Sequence, residues 1–321
     1  MWTFVYWLKL LATVLITNSH FSGVWPISAL ATGGMLGNVI FFAVSGFCLA
    51  EVKDGFLKFM GKRALRIFPS MLLFSFFAAA IGQYPLTSLY DFVYFFRRYI
   101  FLVWMIILCI PFYFVAKLGK KYKSTLECAL MITAVLWLAT YLIFVDKTNY
   151  VVDTVESPFI MYLYFAAMLV GALFKKQAED VRALGFWHFA FALCGMAVYF
   201  ATKLLFVKVQ KLAFLQPINQ LTIIIALVLI FRLALASEQI LNKLNKHVNS
   251  AVKLISSFTL QIYVVQFLII GRFSSLVFPL NLGVIVSLIL VSGAGLFYTD
   301  KYLQKGIYKA VKAITKPRKG K

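Results

Sequence analysis

The chain has 321 residues, of which 62% are hydrophobic and 13% charged, and its apolar runs are long and closely spaced. This composition excludes a water-soluble domain and describes a polytopic membrane protein. The net charge of +21 does not point to nucleic acid, because the basic residues are spread over short loops and a C-terminal tail, KYLQKGIYKAVKAITKPRKGK, that suits anionic lipid headgroups.

A bilayer core of roughly 30 Å takes about 20 apolar residues per helical span. About ten segments qualify on that measure, near 4–21, 30–50, 68–83, 99–117, 125–145, 157–175, 184–203, 217–236, 254–271 and 282–300. They are continuous apolar stretches and not short alternating ones, so backbone satisfaction in lipid requires helices and excludes a barrel. The expected fold is an all-α bundle of about ten transmembrane helices, one integral domain over 1–321 with 301–321 a basic tail.

Cytoplasmic loops retain lysine and arginine. With the N-terminus inside, the inner segments hold Lys53, Lys58, Lys62, Arg63 and Arg66, then Lys117 to Lys123, Lys175, Lys176, Arg182, Lys243, Lys246, Lys253 and the tail. Outside fall Arg97, Arg98, Lys147, Lys203, Lys208, Lys211 and Arg272. Both termini are therefore predicted to be cytoplasmic, and the lysines of 203–211 fit this scheme worst. The ALA at 29–31 resembles a signal-peptidase site, but no basic segment precedes the first apolar run, so helix one is expected to be retained.

A charged side chain at the centre of a span costs about 2.5–3.5 kcal/mol on insertion scales and is a site candidate by default. In helix one, Lys9 and His20 are eleven residues apart. On a continuous helix they share one face, about 16 Å apart along the axis, with Thr13 and Thr17 between them. Each has an ordinary explanation taken alone: Lys9 snorkelling to the interface, His20 ending the span.

In helix two, Gly33, Gly34, Gly37, Ser45 and Gly46 permit close helix approach, and packing is their default role. In EVKDGFLKFMGKRALRIFP, apolar residues recur at helical spacing while Lys58, Lys62 and Arg66 form a ladder. This predicts a basic amphipathic helix at the cytoplasmic interface. Arg63 and Arg66, one turn apart, suit convergence on a phosphate, although lipid contact explains them equally. Cys48, Cys109, Cys128 and Cys194 have no metal or redox spacing and are expected to be packing residues, with no metal site.

Taken in order, the basic residue before a histidine on helix one, then FFAVSGF, then KRALRIFP, with later support from YFAAMLVGALF and ISSFTLQIYVVQFLI, resemble the membrane-bound acyltransferase-3 family. That family acylates exported polysaccharides and glycolipids in bacteria. The resemblance implies a multi-pass protein of the bacterial inner membrane that transfers an acetyl group from cytoplasmic acetyl-CoA to a hydroxyl of an exported or lipid-linked polysaccharide.

It assigns catalysis to His20, donor binding to Lys9, Arg63 and Arg66 with Lys62 beside them, and substrate positioning to Ser45, Gly46, Tyr263 and Gln266. Many members have histidine where this chain has Gln266, which can hydrogen-bond but cannot shuttle a proton. His20 is thus the histidine placed for chemistry, either as a general base or through a transient acyl-histidine.

Trp25 and Tyr84 could stack on sugar rings at the outer rim, or serve as ordinary interfacial aromatics. The rival class is a transporter or flippase for a lipid-linked sugar, with the same polar residues lining a pathway. No inverted repeat supports it.

Overall fold

The structure, a computed structural model, describes residues 2–83, 87–88, 90–91, 99–154, 157, 159–178 and 184–315, with side chains to residue 306. Tyr84, Arg97, Arg98, Arg182 and the last part of the basic tail lie outside the described residues.

The described elements are helical: α1 (Thr3–Asn18), α2 (Gly34–Leu49), α3 (Phe56–Ala80), α4 (Ile100–Leu118), α5 (Thr125–Phe144), α6 (Ile160–Lys176), α7 (Phe186–Lys208), α8 (Gln216–Ala236), α9 (Glu238–Lys243), α10 (Lys246–Ser257), α11 (Thr259–Phe273) and α12 (Leu280–Thr315). Short 3-10 turns occupy Ser28–Leu30 and Gln210–Leu215. Among the described residues, seven helices are long and apolar enough to cross a membrane, or eight if α10 and α11 count as one broken span. The expected ten is not reached because α1 has 16 residues and α6 17, each short of the roughly 20 that a bilayer core requires.

Four predicted elements differ in form. The interfacial helix and the third span are one continuous helix of 25 residues with Pro69 inside it. Pro69 cannot donate to the Leu65 carbonyl, and Gln304 Nε2 takes that carbonyl instead at 3.1 Å. The ninth span is bent by 69° at Phe258, between α10 and α11. Ser257 Oγ bonds back to the Leu254 carbonyl (2.6 Å) just before the bend. Helix α12 continues to Thr315, through most of the tail, because no proline follows Leu280 until Pro317. Finally, α1 stops at Asn18, so His20 sits in the turn beyond it, its N–H bonded to the Thr17 carbonyl at 3.1 Å.

One end of the bundle gathers the basic loops. There Lys120 bonds the Val52 carbonyl, Lys176 the Lys123 carbonyl, and Lys175 pairs with Glu51 at 3.3 Å. We call this the basic end. Helix α2 is the best-buried span and runs through the centre against α1 and α6. A Cβ on Gly46 would collide with the Met168 backbone, and one on Gly171 with the Ala43 backbone, so α2 and α6 meet without side chains between them. Toward the start of α2, a Cβ on Gly37 would collide with the Ala12 carbonyl of α1, as the glycine pattern predicts. The α5 and α7 spans are buried over only 17% and 22% of their apolar windows, which leaves their faces to lipid.

Helix α1 is clamped at both ends. At the basic end its first free N–H groups, Thr3 and Phe4, donate to the Glu238 carboxylate at 2.9 and 2.7 Å, a charge suited to a helix N-terminus. At the far end Asn18 Nδ2 donates to the carbonyls of Leu30 (2.8 Å) and Thr32 (3.0 Å). Trp25 Nε1 donates to Asn18 Oδ1 at 2.9 Å. Trp25 therefore braces this turn, its ring tilted against Phe278.

Candidate active site

Helices α1, α2, α3, α4, α11 and α12 enclose a cavity of about 560 Å³ toward the basic end, within the size range of small-molecule sites. Lys9, Lys62, Arg63 and Arg66 line it, with Ser45 and Cys48. Lys9 is only 9% exposed, forms no ion pair with a described acid, and has Arg66 and Arg63 close enough to repel it. Arg63 lies over the Phe59 ring at 5.8 Å, and its Nε is buried without a hydrogen-bond partner. Such uncompensated charge inside an apolar bundle is costly unless an anion meets it.

Lys62 differs from its neighbours. Its ammonium pairs with Asp54 at 2.5 Å, and Lys58 joins the same carboxylate at 3.0 Å. Those hydrogen bonds, from Lys62 first, hold the Asp54 carboxyl below the usual carboxylate range.

Phe41, Leu102, Thr259 and Leu260 line both this cavity and a second, water-sized space of about 20 Å³, so they form the neck between the two. Thr13, Thr17, Tyr263 and Gln266 also line the small space. The Thr17 hydroxyl donates to Gln266 Oε1 at 2.8 Å, leaving Gln266 Nε2 buried with no partner. Beyond it lies His20, half-buried, its ring edge-on to Phe267 at 4.6 Å. Among the described residues no hydrogen bond engages its ring nitrogens, leaving a lone pair open for a proton.

The predicted residues thus fall along one track. Lys9, Lys62, Arg63, Arg66 and Ser45 surround the large cavity, Tyr263 and Gln266 the small one, and His20 stands past the end of α1. Gly46 is the exception: it faces α6 and serves packing. His188 accepts from the Gly185 N–H at 3.2 Å and His247 sits at the start of α10, both away from the track.

The four cysteines are free thiols. Cys109 is buried and Cys48 exposed, and both line the cavity. Ser70, Gln261, Asp300 and Gln304 were not legible in advance. Asp300, at the edge of the last apolar run, reads as a span boundary, and the others carry no charge. Among the described residues no cluster of His, Cys, Asp or Glu could hold a metal ion.

The helices define a multi-pass membrane protein with a cavity inside its bundle that Lys9, Arg63 and Arg66 line. The chain belongs to the acyltransferase-3 family, whose model, described as an acyltransferase domain, matches residues 2–299. Membrane acyl transfer is therefore its class of activity. No curated protein and no solved structure matches the chain.

Proposed function

We propose that the chain is an O-acyltransferase of the bacterial inner membrane, moving an acetyl group from cytoplasmic acetyl-CoA to a hydroxyl of an exported or lipid-linked polysaccharide. The basic end faces the cytoplasm in this reading, as the distribution of lysine and arginine favours. The observation that carries it is the chamber in which Lys9, Arg63 and Arg66 form no ion pair with a described acid, continued through a neck toward Gln266 and His20. Forked guanidinium donors suit the phosphates of the donor. The narrow apolar neck suits its acyl-bearing arm.

His20 then takes the proton of the sugar hydroxyl as the new C–O bond forms at the thioester carbonyl, and returns it to the departing sulfur. Imidazole can take up and return a proton near neutral pH, which suits both roles. Gln266 Nε2 is a fixed donor beside the neck, suited to the negative charge that develops on the carbonyl oxygen. Attack by His20 itself, giving an acyl-histidine that the hydroxyl then resolves, uses the same residues.

The test is transfer of radiolabelled acetyl from acetyl-CoA to membrane glycan in inverted vesicles carrying wild type or His20→Ala at matched protein level. Label should reach the glycan only with wild type. Equal labelling by the variant would end the assignment of His20. Glycan analysis of cells with and without the gene then names the acceptor sugar.

A further inference from the structure

Lys9, Lys62, Arg63 and Arg66 reach the large cavity from α1 and α3, while α12 adds Lys301 and, with α11, presents hydrogen-bond acceptors. Asp300 is 4% exposed. Its Oδ2 accepts from Ser70 Oγ at 2.7 Å and its Oδ1 from Gln304 Nε2 at 2.9 Å. The single hydroxyl proton of Ser70 is thereby committed to Asp300. Its oxygen must accept from Gln261, which lies at 2.8 Å, and only the amide NH₂ of Gln261 can supply that bond.

This chain of donors sets the orientation of the Gln261 amide. Its oxygen has to point away from Ser70, and Gln261 Oε1 is buried with no hydrogen-bond partner. Gln261 is 4% exposed and lines the cavity. A buried acceptor without a donor is unfavourable, and a ligand N–H removes that penalty. The bend at Phe258 brings this residue, in the first turn of α11, to the cavity.

We infer that Gln261 Oε1, aimed by Ser70 and Asp300, accepts a hydrogen bond from a secondary amide N–H of the donor's pantetheine arm. The inference rests on the acetyl-CoA reading above. The arm is the part of that donor with two amide N–H groups. It joins phosphates, drawn to Lys9, Arg63 and Arg66, to a thioester headed for the neck, and so runs through the cavity that Gln261 lines. The cations select the acidic end of the ligand, and the acceptor sets how far the arm has advanced. Ser70 and Asp300 are positioning residues, because they act only through Gln261.

The experiment measures binding of acetyl-CoA, and of two analogues in which one or the other pantetheine amide is replaced by an ester, to the purified full-length protein in nanodiscs. For wild type, one ester analogue should bind about tenfold more weakly than acetyl-CoA, as expected for one lost hydrogen bond. Gln261→Met should bind acetyl-CoA about tenfold more weakly than wild type and no longer distinguish that analogue. Ser70→Ala, which frees the amide to turn, should narrow the same discrimination and guards against a misfolded Gln261→Met. A wild type that binds all three ligands equally, or variants that weaken all three in proportion, would overturn the inference while leaving acetyl-CoA as donor. A wild type that binds none of them overturns both.

Discussion

Four glutamines are almost wholly buried in this bundle, two at each of two places, and they differ in what their amides hold. At the far end Gln216 and Gln220 use both ends of the amide. Gln216 Oε1 accepts from the N–H groups of Val151 (2.8 Å) and Val152 (3.2 Å), while its Nε2 donates to the carbonyls of Asp146 (3.0 Å) and Asn149 (3.1 Å). Gln220 accepts from Trp137 Nε1 at 2.5 Å and donates to the Val152 carbonyl at 2.7 Å. Along the track, Gln261 and Gln266 each leave one end of the amide unmet.

The charges follow the same division. Lys203 pairs with Asp153 at 2.6 Å at the far end, and Asp146 holds Thr148 and Asn149, bonds that push its carboxyl down to about 2. The Lys203 pair accounts for one of the lysines that fits the expected outer side badly. Lys9, Arg63 and Arg66 form no ion pair with a described acid. Burial of polar groups is common to the two regions, so burial alone marks neither as a site. Among the buried glutamines the unmet amide ends fall on the track, although at the far end the Tyr199 hydroxyl is also buried without a hydrogen-bond partner.

The strongest way to break this comparison is through catalysis. His20→Ala should lower kcat by about 10²–10⁴, the usual contribution of a positioned acid–base group. Asp153→Asn, at a group half-buried like His20 but engaged in the far-end network, should leave the kcat of folded protein within about twofold. Comparable losses in both would show that the far end takes part in the chemistry.

Donor binding gives the next effect. Arg63→Ala combined with Arg66→Ala should raise KM for acetyl-CoA by about 10- to 100-fold, with a smaller change in kcat, since two phosphate contacts are lost from binding. The glutamines then separate stability from activity. Gln216→Leu strands four backbone groups, each costing about 1–3 kcal/mol, and should lower Tm by several degrees or prevent folding. Gln266→Leu strands only the Thr17 hydroxyl, which can turn to a helix carbonyl. It should leave Tm nearly unchanged while lowering kcat about tenfold or more. Matching Tm losses would mean that the two amides play the same structural part.

Much of the track was legible in the sequence because intramembrane charge is rare and costly: Lys9, His20, Arg63 and Arg66 stand out against apolar runs. Gly46 stands out equally but belongs to the α2–α6 crossing, since a glycine reads the same whether the close neighbour is a ligand or a backbone. Gln261, Ser70 and Asp300 were hidden because their meaning depends on which amide end is left open, and that depends on contacts between α3, α11 and α12. The span count suffered from a related limit. Hydropathy cannot tell a straight helix from the bend at Phe258, nor find that Gln304 allows α3 to run through Pro69.

The smallest effect concerns Lys62, which the sequence groups with the donor-binding cations and the fold assigns to Asp54. If pairing decides function, Lys62→Ala should change KM for acetyl-CoA by less than about twofold, far below the arginine pair, because a lysine held by a surface carboxylate is not aimed at the donor. Asp54→Asn should do the reverse. It releases Lys58 and Lys62 toward the mouth of the cavity and lowers KM slightly, an effect that fades as salt shortens the screening length to roughly 8 Å and below. The pH dependence has a definite sign: a depressed carboxyl keeps the pair intact above its titration and loses it only as pH falls through that lowered value. Wild-type KM should therefore show no step from Lys62 between neutral pH and about pH 5, above the ordinary carboxylate range. A Lys62→Ala variant as impaired as the double arginine variant would return Lys62 to the donor site, and pairing would no longer serve to tell a ligand-binding cation from a structural one.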